Sequence, residues 1–282
     1  MITNMSLRLQ VATLGFLLAS ALGVQANLPQ PMCIYYGQAK DQFGWPYSES
    51  HQGDVILRIG TNEITRHHVS GSLSPGVNFA LYVPIDDGVG SAYVQYAAVT
   101  GRTVTIVVSD HTGERLIMET NSLPKVGKPG DVIAINVTAG SDADHDGVPD
   151  EWEESVLYWS PNPYINSIED LRPEDDLDGD HVSNGDEYIA GTMADDASDY
   201  FYAERGDRTA NNCLKIEVYS VRGKTYRVFS STSLGEPIWQ ACAVALSDAG
   251  PVQVSPVEGD GHYLSLYIPF SDTNRVFRMD VQ

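Results

Sequence analysis

Two acidic stretches of this chain have the residue types and spacing to hold a metal ion. In Asp142–Glu153 (DADHDGVPDEWE), carboxylates stand at positions 1, 3 and 5 (Asp142, Asp144, Asp146), glycine at 6 (Gly147), and glutamate at 12 (Glu153). Position 7 (Val148) offers a backbone carbonyl and position 9 (Asp150) a further oxygen, direct or through water. Ca²⁺ is a hard cation that takes six to eight oxygens at about 2.3–2.6 Å and tolerates irregular geometry. In a tightly curled loop alternate residues point inward, so positions 1, 3 and 5 converge. Glu153, one helical turn beyond, can then close the shell with two oxygens.

Asp176–Glu187 (DLDGDHVSNGDE) repeats the pattern with Asp176, Asp178, Asp180, Val182, Asn184 and Glu187, but puts His181 where glycine is expected. Among residues with a Cβ, Asn, Asp and His enter the left-handed region most readily, so the turn should survive with some strain and give the weaker site. His145 and His181 read as solvent-facing turn residues, because an oxygen-rich donor set suits calcium over zinc. On average amino-acid usage one such match arises by chance at fewer than roughly one in a million starting positions, so two in one chain are not coincidence.

Charge supports the same conclusion. Of the formal charge of −21, the 46 residues from Asp142 to Glu187 carry −15: 16 acidic residues against the single Arg172. A cluster this dense self-repels unless cations or solvent neutralise it. Two Ca²⁺ would supply +4. The chain has no basic patch to track a phosphate backbone, which argues against nucleic acid as a partner.

The elements that position the loops are mostly strands. Within 27–140, strands are expected at Asp54–Ile59, Glu63–Val69, Val77–Val83, Ala92–Ala98, Thr103–Val108, Arg115–Glu119 and Val132–Val137. Each is short, rich in Val, Ile and Tyr, and bounded by turn residues. From about 199 the pattern resumes at Leu214–Tyr219, Thr225–Ser230, Trp239–Leu246, His262–Phe270 and Arg275–Val281, with 221–224 read as a hairpin turn. Helices are expected only after the loops, at Asp150–Tyr158 and Asn184–Ala190. The expected fold is mainly β: a sandwich over 27–140, a tandem loop–helix segment over 141–198, and a smaller β domain over 199–282.

With those residues in view, the acidic segment resembles the calcium loops of thrombospondin type 3 repeats and dockerins, half EF-hands found near the ends of large secreted bacterial proteins. Asn184, Glu187, Tyr188, Gly191 and Thr192 keep that pattern and His181 departs from it. Trp239 and Val276-Phe277-Arg278 are similar to the β domain that often follows. The fit to a dockerin is poorer: position 12 is glutamate, the loops start 34 residues apart and the segment is internal. The resemblance implies two bound Ca²⁺ and says nothing of an activity. No helix is expected before either loop, which points away from a helix-opening sensor.

The first 26 residues read as an export signal, with Arg8 before an apolar Val11–Val24 run and a cleavage site after Ala26. No later segment is long enough to span a bilayer. The expected location is therefore outside the cytoplasm, secreted or at the cell surface. Cys213 and Cys242 could pair, leaving Cys33 over, or all three could be reduced. No HExxH, GxSxG, Walker A or GxGxxG motif occurs, and nothing selects a catalytic carboxylate pair outside the loops. The expectation is a non-enzymatic calcium-binding structural or adhesion protein. The alternative is a calcium-stabilised protein that binds or processes extracellular polysaccharide, with Tyr35, Tyr36, Tyr93, Tyr96, Trp45 and Trp239 as candidate stacking rings. The partners implied are calcium, and a polysaccharide or an envelope protein.

Overall fold

The computed structural model describes residues 30–50, 53–86, 96–160, 162–203, 205–233, 235–254, 256–269 and 275–282. The expected signal at 1–26, and most of the expected strand Ala92–Ala98, lie outside them. The fold is mainly β, with two α-helices among the described residues: α1 (Asp150–Trp159) and α2 (Asn184–Ala190).

The N-terminal part is built from two facing sheets. One has the antiparallel order Asn62–His68, Asp54–Ile59, Thr105–Asp110, Gly113–Leu116. The other sets Cys33–Gly37 between Val132–Ala134, in parallel, and Phe79–Val83, antiparallel. Alternate side chains fill the space between: Cys33 and Tyr35 with Phe79, Leu81 and Val83 from one sheet, Val55, Leu57, Ile106 and Val108 from the other. Strand periodicity sends every second residue to one face, so a run such as FALYV buries its first, third and fifth members and leaves Ala80 and Tyr82 outward. Short parallel pairing of Val137–Thr138 with Ala39–Lys40 carries the chain out towards the first acidic loop.

The C-terminal part repeats the two-sheet plan. Arg205–Arg208, Cys213–Tyr219 and Tyr263–Pro269 form one sheet. Thr225–Ser231 organises the other, pairing with Gln240–Ala241, Val257–Glu258 and Val276–Val281. Residues 221–224 were expected to close a hairpin, and this is corrected: Cys213–Tyr219 and Thr225–Ser231 do not pair, and the turn carries the chain from one sheet to the other. The expected strand Trp239–Leu246 is two short strands, Gln240–Ala241 and Ala243–Val244, separated by Cys242, whose amide donates to Val228 O.

The buried apolar residues form three clusters, one in each part of the chain. Residues 33–139 make the first and 216–268 the second. The third is small and lies in the acidic segment: Val148, Trp152, Val156, Leu171, Tyr188 and Ala194, with Ile165 and Leu177 against it.

Candidate metal centre

Each acidic loop curls through two left-handed residues, at positions 4 and 6. In the first loop these are His145 (φ 65°) and Gly147 (φ 96°); in the second, Gly179 (φ 83°) and His181 (φ 80°). Histidine and glycine have exchanged places across the 34-residue repeat. His145 is held there by a 2.7 Å contact between its Nδ1 and Asp142 O.

The loop hydrogen bonds also repeat. The position 1 carboxylate accepts the amide of position 6: Gly147 N to Asp142 Oδ2 at 3.3 Å, His181 N to Asp176 Oδ2 at 2.9 Å. The position 5 carboxylate accepts the amide of position 7: Val148 N to Asp146 Oδ1 at 2.9 Å, Val182 N to Asp180 Oδ1 at 2.7 Å. Position 9 reaches back to position 2: Ala143 N donates to Asp150 Oδ1 at 2.8 Å and Leu177 N to Asn184 Oδ1 at 3.1 Å. Asp150 Oδ2 also accepts from Ser141 Oγ, and Asn184 Nδ2 donates to Arg172 O. Position 9 thus clamps the base of each loop through its own side chain.

These bonds leave the remaining oxygens free to converge. The carboxylates of Asp142, Asp144 and Asp146 bring one oxygen each within 4.8 Å of one another, and so do those of Asp176, Asp178 and Asp180. Either triad could hold a metal ion. The closing glutamates supply the second observation. Glu153 and Glu187 are fully buried, each a turn into its helix. Ten buried side-chain atoms among the described residues have no hydrogen-bond partner, and six belong to the expected ligands of these loops: Asp146 Oδ2, Asp178 Oδ2, Asp180 Oδ2, both oxygens of Glu153 and one of Glu187. Buried polar atoms are nearly always satisfied, so six orphaned carboxylate oxygens in two clusters fit a cation as their missing partner.

The electrostatics agree. Burial pushes the Glu153 carboxyl up to about 8, with Asp146, Asp144, Asp150 and Asp142 adding repulsion. Burial likewise pushes Glu187 up to about 8, with Asp178 and Asp180 adding and the hydrogen bond from Thr192 opposing. Asp146 and Asp178 are also raised, chiefly by burial. Without a cation each cluster is frustrated, because burial favours protons while the loop amides favour charge.

Compared with protein-family models, with curated proteins and with solved structures, the chain matches none.

Of the remaining sequence candidates, Trp45 and Tyr96 are exposed and others are packed. Tyr35 is core, its hydroxyl donating to Lys125 O at 2.9 Å, and Trp239 stacks on Arg278. Tyr93 lies outside the described residues. His68 Nδ1 contacts Asp54 Oδ1 at 2.8 Å, opposite it in the sheet. All three cysteines are free thiols, with Cys33 and Cys242 buried. No helix among the described residues is long and apolar enough to cross a membrane.

Sequence reasoning missed one residue beside the second loop. Lys224 is 1% exposed, and its Nζ lies 2.7 Å from Ile189 O and 3.4 Å from Tyr188 O, at the C-terminal end of α2. A lone lysine after Arg-Gly carries no signal of burial.

Proposed function

We propose that the protein is an extracytoplasmic, non-enzymatic calcium-binding module in which one Ca²⁺ in each acidic loop stiffens the connection between two β units for adhesion or envelope assembly. The observation that carries this reading is the set of orphaned buried oxygens at positions 5 and 12 of both loops, joined in the second loop by position 3. The ion's donors would be Asp142, Asp144, Asp146 and Glu153 in the first loop and Asp176, Asp178, Asp180 and Glu187 in the second. The carbonyls of Val148 and Val182 would add to them, and Asp150 and Asn184 would act from the loop base or through water. Such an all-oxygen set, with mobile carboxylates and no thiolate, suits Ca²⁺; Mg²⁺ demands a stricter octahedron and Zn²⁺ prefers nitrogen and sulfur.

The role is structural because of where the loops sit. Each loop runs directly into a helix whose apolar side joins the shared third cluster, so fixing the loop fixes the cluster. The test is a thermal melt in millimolar calcium and in EDTA, followed by calorimetric titration. A ligand at 100 times its Kd adds about 2.7 kcal/mol, enough for a visible rise in Tm. A rise with a stoichiometry near two is expected. No shift and no binding heat would reduce the segment to a charged linker.

A further inference from the structure

We infer that Lys224 is the positioning residue that links the second loop to the junction of the two β units, so that cation binding at that loop and closure of the junction form one coupled equilibrium. The inference rests on the second loop taking a cation, as proposed above.

The geometry places three parts of the chain around one amine. Lys224 comes from the C-terminal unit. Its Nζ meets Ile189 O and Tyr188 O in the acidic segment, and Gly44 O of the N-terminal unit at 3.5 Å. Tyr188 and Ile189 directly follow Glu187, the closing residue of the second loop. A cation is favoured at this end of a helix, where carbonyls lack intrahelical donors.

Three glycines with positive φ let the chains approach, one from each part. A Cβ on Gly44 would lie 2.5 Å from the Tyr188 ring, one on Gly191 3.2 Å from Lys224 Cε, and one on Gly223 2.8 Å from Pro46 Cβ. The two β units also touch directly, with Gln38 Nε2 donating to Gly223 O at 2.8 Å and Ser72 Oγ to Glu258 Oε2 at 2.5 Å. Lys224 is the member of this junction that also holds α2.

Glu187 is tied at both ends. Its backbone carbonyl accepts the amides of Gly191 at 2.6 Å and Thr192 at 3.1 Å, closing the helix. Its carboxylate faces the repulsion of Asp178 and Asp180. A cation held by Glu187 would fix the single turn of helix behind it, and with it the Tyr188 and Ile189 carbonyls that Lys224 meets. A displacement of about 1 Å takes the helix carbonyls beyond hydrogen-bond reach of Lys224 and leaves the buried amine with Gly44 O alone, at 3.5 Å. Burial already pushes Lys224 down to about 7, with Lys40 adding to the effect and Asp41 opposing it. A cation on the second loop therefore favours the closed junction, and a closed junction must raise affinity for the cation by the same factor. Among the described residues the first loop has no buried lysine on its helix: that helix meets the N-terminal unit through Arg115 and Glu151, 3.5 Å apart.

The test uses the whole chain and calcium alone. Calorimetric titration of Lys224→Met is compared in two backgrounds, Glu153→Gln to isolate the second loop and Glu187→Gln to isolate the first. The expected result is a loss on the order of tenfold in affinity at the second loop and a smaller loss at the first, which reaches Lys224 only through the Trp152–Tyr188 contact. Equal loss at both loops, or none at either, would overturn the linkage. Hydrogen exchange on the unaltered protein is an independent arm. Calcium should slow exchange at the Asp41, Gly44 and Gly223 amides, which belong to neither loop but lie in turns that border the junction, bonded to Trp45 O, Asp41 O and Gly259 O. Two calcium ions bound with no protection there would overturn the linkage alone, whereas no binding heat at all would overturn the calcium reading beneath it.

Discussion

Trp152 and Tyr188 meet edge to face, with ring centroids 5.5 Å apart and planes at 69°. Trp152 immediately precedes Glu153 and Tyr188 immediately follows Glu187, so the two closing glutamates stand on helices that share one aromatic contact. The rest of that core is small: Val148, Val156, Leu171 and Ala194. The two loops are therefore expected to act as a pair. Trp152→Ala should cost about 3 kcal/mol as a large-to-small core change and weaken calcium binding at both loops. Asp144→Ala should weaken mainly the first loop. Calorimetric titration separates the two; an unchanged second-loop affinity in Trp152→Ala would show that the helices act independently.

Glutamine at position 12 should have opposite effects with and without calcium. Glu153→Gln and Glu187→Gln keep the shape of the side chain but remove a buried charge that faces three aspartates. In EDTA at pH 8 each substitution is expected to raise Tm, because the repulsion is gone. In calcium each should lower Tm, because a bidentate ligand is lost. A variant that lowers Tm equally in both conditions would exclude a ligand role for that glutamate.

The pH dependence follows from the same two groups. Their folded pKa, about 8 without a cation, lies above the unfolded value near 4.3. Between these values the folded state holds protons that the unfolded state has released. The contribution of these two groups to stability in EDTA is therefore full below the unfolded pKa and is lost as pH rises towards 8. Calcium displaces these protons, so its affinity should climb over the same range and level off above pH 8. Calorimetry at pH 7 in two buffers of different ionisation enthalpy should show net proton release. Equal heats in both buffers would place the glutamates in their charged form before binding.

The loops and both helices were legible in the sequence because their constraints are local. A carboxylate every second residue, a turn residue at position 6 and a glutamate at 12 act within one turn of chain, and Asn184–Ala190 begins and ends where expected. The mainly β fold was legible from short strands alone, and Asp54–Ile59 matches in full. The strand Cys33–Gly37 was not. Its partners are Val132–Ala134, about a hundred residues away, and Phe79–Val83, and its tyrosines read as core or sheet-face residues, with a stacking surface as the lesser alternative. The turn at 221–224 was misread because a Gly-bearing turn between two strand patterns looks the same whether the strands pair or diverge into facing sheets. Lys224 was invisible for a related reason: its burial is produced by Gly44 and Ile189, distant in the chain.

The exchange of histidine and glycine between the loops gives a last prediction. His181 sits at φ 80° with its amide donating to Asp176, whereas its counterpart Gly147 adopts φ 96° without a Cβ. A left-handed residue with a Cβ costs about 1–2 kcal/mol, and glycine carries an entropic penalty of roughly 0.5–1 kcal/mol, so relief of strain wins by a margin. His181→Gly should stabilise the protein by about 0.5–1 kcal/mol in EDTA and tighten calcium at the second loop. His145→Gly should gain less, because it gives up the ring contact with Asp142 O. Gly147→Ala should lose about 1 kcal/mol or more, since no polar side chain supports the left-handed turn. Melts of the three variants in EDTA give the order directly, and a His181→Gly variant no more stable than the parent would show that histidine is unstrained there.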